Sequence, residues 1–239
     1  MSLSKNHLKL ITSLRQKKYR QKHKLFVVEG IKVVKEFLSS SYELDSLFTT
    51  SDEFDDLSRV VRISEQELKK ASHLKTPNKV LAIFKVPIAE KLNPKGLIVA
   101  LDAVNDPGNL GTIIRLCDWF GVSNIVCSQD TVDCYNTKVV QASMGSLTRV
   151  FIDYIDLEEF IRTSDQPTFI ADMDGDNVYK TQLPNEGVLV MGNEANGVSE
   201  TIKNLISTKI SIPRFGNFQQ TESLNVATAT AILLSEFRR

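Results

Sequence analysis

The chain has no C-x-x-C pair, and its cysteines, Cys117, Cys127 and Cys134, are three in number. That pattern argues against a disulfide framework and against cysteine-bound zinc. Its histidines, His7, His23 and His73, all lie in the first third. A histidine metal site is therefore not expected, nor a Ser-His-Asp triad in the C-terminal part, and no metal is expected at all. No apolar run approaches the roughly 20 residues a membrane helix needs. The N-terminus lacks the apolar core of a signal peptide, so the expectation is a cytoplasmic protein. A G-x-G-x-x-G fingerprint is missing as well, which argues against a nicotinamide-dependent oxidoreductase. Internal repeats and low-complexity tracts are absent.

Acidic residues are absent from the first 24 positions, where Lys5, Lys9, Arg15, Lys17, Lys18, Arg20, Lys22 and Lys24 stand. The chain holds 29 basic and 29 acidic residues, so the remainder carries 21 basic against 29 acidic. Two readings of the arm stand side by side. It is a solvated helix end, or it is a phosphate-binding surface whose interleaved His7, Tyr19 and His23 stack on bases. The residues that would hold phosphate are Lys17, Lys18, Arg20, Lys22 and Lys24.

With 239 residues, 42% of them hydrophobic, there is chain enough for one large domain or two small ones. Leu8, Ile11 and Leu14 predict one basic helix over 4–22. Strands are expected at LFVVEG, LDSLFTT, VVRIS and VLAIFKVP, with helices after the first and third, making a small α/β unit over 1–87. Two prolines and a glycine mark a linker at 88–96. From residue 97 to 239 strands and helices alternate. GLIVALDAV is a near-continuous apolar run, as expected of a strand buried on both faces. NIVCSQ, TFIADMD, GVLVMG and KISIP follow as strands, with a short one at 151–155. The expected fold is α/β with an open, mostly parallel sheet. Such sheets bind ligands beyond the carboxyl ends of their strands.

Three polar, glycine-bearing loops fall at those ends. The first is NDPGNLGTIIR, where Asn109 is placed to cap a helix starting near Leu110 and Gly111 leaves its first turn open. Arg115 lies off the apolar stripe, near a helix N-terminus where a cation is mildly disfavoured. It either pairs with Asp118, worth about 0.2–0.5 kcal/mol, or faces a phosphate or reacting hydroxyl. The second loop, GNEANGVS, has Gly192 and Gly197 framing Glu194, and bare backbone there suits the edge of an adenine. The third runs from Ile212 and Pro213 to Glu222, Ser223, Leu224 and Asn225, where a helix small and apolar all round begins; Ser223 is placed to cap it.

In this order the loops resemble the signature motifs of the SpoU (TrmH-type) RNA 2′-O-ribose methyltransferases of the SPOUT superfamily. N-x-G-x-x-x-R is met by Asn109, Gly111 and Arg115, and G-N-E-x-x-G by Gly192, Asn193, Glu194 and Gly197. I-P with S-L-N is met by Ile212, Pro213, Ser223, Leu224 and Asn225, and S-x-G by Ser143 and Gly145. The resemblance covers about residues 97–239, and residues 15–87 resemble the small substrate-binding domain that precedes it in many members.

The resemblance implies a C-terminal trefoil knot, S-adenosylmethionine as cofactor, a homodimer, and an RNA substrate, ribosomal rather than transfer RNA. It implies catalytic roles for Arg115, Asn109, Glu194, Ser223 and Asn225. It implies cofactor contacts from Gly192, Asn193, Ile212, Pro213 and Leu224. The resemblance also implies Arg115 as general base; arginine is poor at that, so Arg115 is read as an anchor for the target phosphate that also stabilises the developing alkoxide, with the role of base left open. A non-catalytic RNA-binding member and a base methyltransferase on the same fold remain the alternatives.

Overall fold

The computed structural model describes residues 3–57, 59–88, 95–216 and 223–239. In chain order the elements open with α1 (Lys5–Ser13), α2 (Lys17–His23), β1 (Leu25–Glu29), α3 (Ile31–Leu38), β2 (Leu44–Thr49), β3 (Val60–Arg62), α4 (Glu65–Ala71) and β4 (Val80–Lys85). They continue with β5 (Leu97–Leu101), α5 (Pro107–Trp119), β6 (Asn124–Cys127), α6 (Thr137–Ser143), β7 (Phe151–Tyr154), α7 (Leu157–Thr163), β8 (Thr168–Asn177), β9 (Gly187–Met191), α8 (Glu200–Lys203), β10 (Thr208–Ser211) and α9 (Val226–Phe237). The chain divides into two compact units, Met1–Ala89 with Asp133–Thr148, and Glu90–Val132 with Arg149–Arg239. Most of the expected linker, residues 89–94, lies outside the described residues.

The first unit is a four-stranded sheet in the order β1-β4-β2-β3, antiparallel except for β2 with β3. Ile11, Leu14, Val27, Phe48, Leu68, Leu81 and Ile83 form one buried cluster. The single helix expected over 4–22 is broken at Leu14–Gln16 into α1 and α2. The break has an identifiable support. Arg20 turns back and donates from Nη1 to the carbonyls of Leu14 and Arg15, both at 2.9 Å, groups an unbroken helix would satisfy internally.

Residues 133–148 were expected in the second domain but cluster with the first unit. Their anchors are polar and aromatic. Arg20 forms a 2.5 Å ion pair with Asp133, His73 Nδ1 meets Thr137 Oγ1 at 2.9 Å, and the Tyr135 ring lies 4.6 Å from that of Phe26. Sequence periodicity reports none of these distant partners. Gly145, from the S-x-G segment, has φ 93°, and a Cβ there would come within 2.8 Å of Glu36 Cγ.

The second unit is a six-stranded sheet, β10-β8-β9-β5-β6-β7, parallel throughout. All five residues of β5 and of β9 are buried, as the continuous apolar runs predict for central strands covered on both faces. The chain runs outward from β5 through β6 to β7, then returns to build β8, β9 and β10 on the other side. The reversal lies between β5 and β9, the place where open parallel sheets bind ligands. Between Lys209 and Ile210 the pairing of β10 with β8 jumps from Ile170 to Asp176, so residues 171–175 leave the ladder. A Cβ on Gly175 would come within 2.6 Å of Ile210 N, so only glycine fits against β10 there.

Candidate active site

Because β5 and β9 are neighbours, the loops after them start side by side. Asp102, buried at the end of β5, donates from its amide to Met191 O at 2.9 Å. Its carboxylate accepts from Ser199 N at 2.7 Å. Ala103 then takes φ 55°, a left-handed conformation costing about 1 kcal/mol for a residue with a Cβ. Asn193 holds it there, donating from Nδ2 to Ala103 O at 2.7 Å. The Asn193 Oδ1 accepts from the amides of Ala195 and Asn196, and its backbone pairs with Gly197 in both directions at 2.9 Å. Gly192 is forced by the same tight loop, since a Cβ would lie 2.2 Å from Gly197 C.

The helix α5 starts earlier than the sequence suggests. Pro107 occupies its first turn and Asp106, not Asn109, caps it, accepting from Asn109 N at 2.9 Å. Proline is preorganised for that position and lacks the N–H that would go unsatisfied. The Asn109 side chain is thereby free for other partners. At the other end of the unit α9 starts at Val226 and is capped by Asn225, not Ser223; Asn225 Oδ1 accepts from Ala227 N at 3.0 Å and Thr228 N at 3.2 Å.

These two asparagines join the three loops. Asn225 Nδ2 donates to Asn109 Oδ1 at 2.9 Å, and Asn109 Nδ2 donates to Glu194 Oε1 at 3.0 Å. Every bond runs in one direction, from the amides at the start of α9, through Asn225 and Asn109, to the Glu194 carboxylate. Glu194 also accepts from the amides of Asn105 and Asp106 at 3.3 Å each. Partial burial pushes its pKa up. Hydrogen bonds from the Asn109 side chain, its own backbone and the two loop amides outweigh that, so the group sits below its usual value. Glu194 is thus an ionised clasp with its oxygens already engaged, a poor free base.

Arg115 lies six residues along α5 from Asn109, about 9 Å on the helix axis. It is exposed and has no ion-pair or hydrogen-bond partner among the described residues. The local pairing with Asp118 does not form, because Asp118 is bound by Arg149 at 2.9 Å.

A cavity of about 790 Å³ opens beside the clasp. Of the expected cofactor residues, Gly192, Asn193, Ile212 and Leu224 line it, as do Glu194, Ser223 and Asn225. Pro213 lines only a smaller neighbouring cavity of about 270 Å³. Its other walls, Ala171, Asp172 and Met173 from the excursion in β8, together with Lys203 and Arg214, were missed by sequence reasoning. Only the glycine in ADMDG hinted at them; a register jump leaves no periodic signal. Val198, Ile210, Val226 and Leu233 make the cavity's inner face apolar, while Asp172, Glu194, Lys203 and Arg214 bring both signs of charge to it. That donor set fits a cofactor with a flat aromatic part and a charged tail. Glu222, read as part of this cluster, lies outside the described residues. Among the described residues no group of three His, Cys, Asp or Glu side chains is placed to hold a metal.

In the basic arm, Lys17, Lys18, Lys22 and Lys24 are exposed. Arg20 is not available to a phosphate. It is 4% exposed, and its guanidinium is taken by Asp133 and two carbonyls.

Residues 96–235 match the family model described as the SpoU rRNA Methylase family, and residues 5–82 match the MRM3-like substrate binding domain. The chain is 30% identical to the 23S rRNA (guanosine(2553)-2′-O)-methyltransferase RlmP of Bacillus subtilis (strain 168), over 94% of this chain and 93% of that protein. Among solved structures it resembles a Porphyromonas gingivalis protein assigned to the TrmH family of RNA methyltransferases, with TM-score 0.89, 38% identity and coverage of 99% and 98% of the two chains. It also resembles an AdoMet-bound rRNA methyltransferase from Sinorhizobium meliloti, with TM-score 0.88, 30% identity and coverage of 100% and 97%.

Proposed function

The chain belongs to the SpoU rRNA Methylase family and is an S-adenosylmethionine-dependent RNA 2′-O-methyltransferase, and we propose that its substrate is a ribose of ribosomal RNA. The observation that carries the reading is the directed chain Asn225–Asn109–Glu194, which ties three separate loops together at one cavity, with Arg115 exposed on the same helix as Asn109.

The bound cofactor supplies an electrophilic methyl group. The apolar walls Val198, Ile210, Ile212 and Leu224 would hold its base, with the backbone of Gly192 and its neighbours reading the base edge. Lys203, Arg214 and Asp172 are charged groups in the cavity wall that would face its amino-acid end. Arg115 anchors the phosphate of the target nucleotide and so fixes the ribose relative to the cavity. It stabilises the oxygen as negative charge develops there. The hydroxyl proton leaves to that phosphate or to water, since arginine does not accept it. Asn109, Glu194 and Asn225 act by holding the loops; Ser223 stands at the cavity edge.

On this reading RNA binding belongs to the first unit and methyl transfer to the second. The protein works in the cytoplasm as a homodimer, and the last strands with α9 form a trefoil knot.

The test is methylation mapping. RNA from cells lacking the protein should lose one 2′-O-methylated nucleotide in ribosomal RNA, restored by purified protein and S-adenosylmethionine in vitro. A base-methylated product, or a loss confined to transfer RNA, would overturn the reading.

A further inference from the structure

The arm carries more than positive charge. Tyr19 and His23, one helical turn apart on α2, present rings whose centroids are 6.4 Å apart and whose planes differ by 19°. Lys18 Nζ lies 5.0 Å from the centre of the Tyr19 ring. His23 is exposed and Tyr19 half-buried. The helix contains no acidic residue, and Lys17, Lys18, Lys22 and Lys24 have no ion-pair partner among the described residues. His7, the third ring in the arm, is used differently, packing edge-on against Phe48 at 5.2 Å.

We infer that the Tyr19–His23 pair on α2 is a stacking platform for unpaired bases, so that the first unit binds single-stranded or looped RNA rather than duplex. The inference rests on the RNA reading above. Phosphate attraction alone needs lysines and, because a duplex has the higher charge density, gives no preference for a single strand. Two near-parallel rings at the surface add something that only an exposed base face can use, because bases inside a duplex are already stacked. Arg20 makes the platform rigid. It sits between the two rings in sequence, and its buried pair with Asp133 fixes α2 from beneath, so little side-chain freedom is lost when a base arrives.

The experiment uses the full-length protein and two fluorescein-labelled probes, a single-stranded oligoribonucleotide of about ten nucleotides, within the usual site size, and the same strand in a perfect duplex. Wild type should prefer the single strand. Tyr19→Ala with His23→Ala should weaken single-strand binding about tenfold or more, the size of losing base–aromatic stacking. It should leave duplex affinity within about twofold, as phosphate contacts alone would. Retained duplex binding shows that the variant folds. Tyr19→Phe should keep single-strand affinity, since the ring face is intact. Lys18→Gln with Lys22→Gln should instead weaken both probes alike and flatten their salt dependence. Equal loss on both probes, no loss on either, or a wild type that binds neither would overturn the platform. Methylation mapping is independent of these results, so a ribose methyltransferase without the platform would be recognised as such.

Discussion

In the first unit the guanidinium of Arg20 is buried against Asp133 and two carbonyls. In the second, the guanidinium of Arg115 stands exposed on α5 with no partner among the described residues. The surrounding polar groups differ in the same way. Around Arg20, the buried Glu29 accepts from Ser72 Oγ at 2.5 Å and His73 N at 2.7 Å, and His73 bridges Ile11 O and Thr137. In the second unit the bonded groups hold the loops beside a cavity whose lining does not include Arg115, and Arg115 stands apart from it, open to solvent. A buried, satisfied network fixes structure. An exposed one with an unspent charge is arranged for a ligand that is still to come.

The sharpest test of that contrast removes each arginine. Arg20→Met leaves Asp133 without its partner, and breaking one side of a buried pair costs about 3–5 kcal/mol. Amides of β1 and β4 should lose hydrogen-exchange protection. Adding Asp133→Leu should recover part of the loss, because an apolar pair is tolerated where half a salt bridge is not. Unchanged protection in the single variant would show that Arg20 is not structural. Lys22→Met on the same helix should shift stability by no more than about 0.5 kcal/mol.

Arg115→Ala should do the opposite. Stability should stay within about 0.5 kcal/mol, while methyl transfer falls roughly 100- to 1000-fold, as when one transition-state donor is removed. Cofactor affinity, read by titration calorimetry, should be unchanged. Turnover near that of wild type in a tritiated-methyl assay would remove Arg115 from the mechanism.

A third, smaller difference is in pH response. Ile11 O can only accept, so His73 Nε2 carries the hydrogen and Nδ1 accepts from Thr137. Burial is the main cause that pushes the ring's pKa down to about 4. A depressed histidine contributes stability above its unfolded value near 6.5 and loses it as pH falls towards about 4, on the order of 3 kcal/mol across the window. Glu29 runs the other way. Burial raises its pKa, so its contribution fades as pH rises through that raised value. His73→Gln should remove the first term and leave the second. Stability of wild type should climb between pH 4 and 6.5, and that of the variant should be flat or fall. Parallel curves would rule out His73 as the titrating group.

How much of this was legible in the sequence depended on whether the signal was local. Buried strands such as β5 and β9 show as apolar runs, and the three loops show as glycine-bearing polar stretches at their ends. What could not be read was which partner a polar side chain finds across 80 or more residues. Asn109 looked like a cap because it precedes an apolar stripe, yet Asp106 caps and Asn109 reaches Glu194 and Asn225. Arg20 looked like one more arm cation, and only its distant Asp133 separates it from Lys18 and Lys22. The excursion of residues 171–175 was invisible for another reason. It arises from a change of register between β8 and β10, and a register belongs to two strands together.

The smallest effect separates capping from site geometry within the second unit itself. Asp106 caps α5 by accepting from Asn109 N, and Asp156 caps α7 by accepting from Glu159 N. The two bonds are chemically alike, at 2.9 and 3.1 Å. Replacing either residue by alanine should cost about 1 kcal/mol of stability. Only Asp106 is followed by the asparagine that passes Nδ2 to Glu194 and receives Asn225, so loosening the first turn of α5 should misplace that clasp. Asp106→Ala should therefore lower turnover several-fold beyond anything seen for Asp156→Ala, with Asp106→Asn, which keeps an acceptor at the cap, restoring most of it. Equal turnover in the two alanine variants would mean that the Asn225–Asn109–Glu194 chain survives a frayed helix start, and that the loops are held by the Asp102 and Asn193 bonds instead.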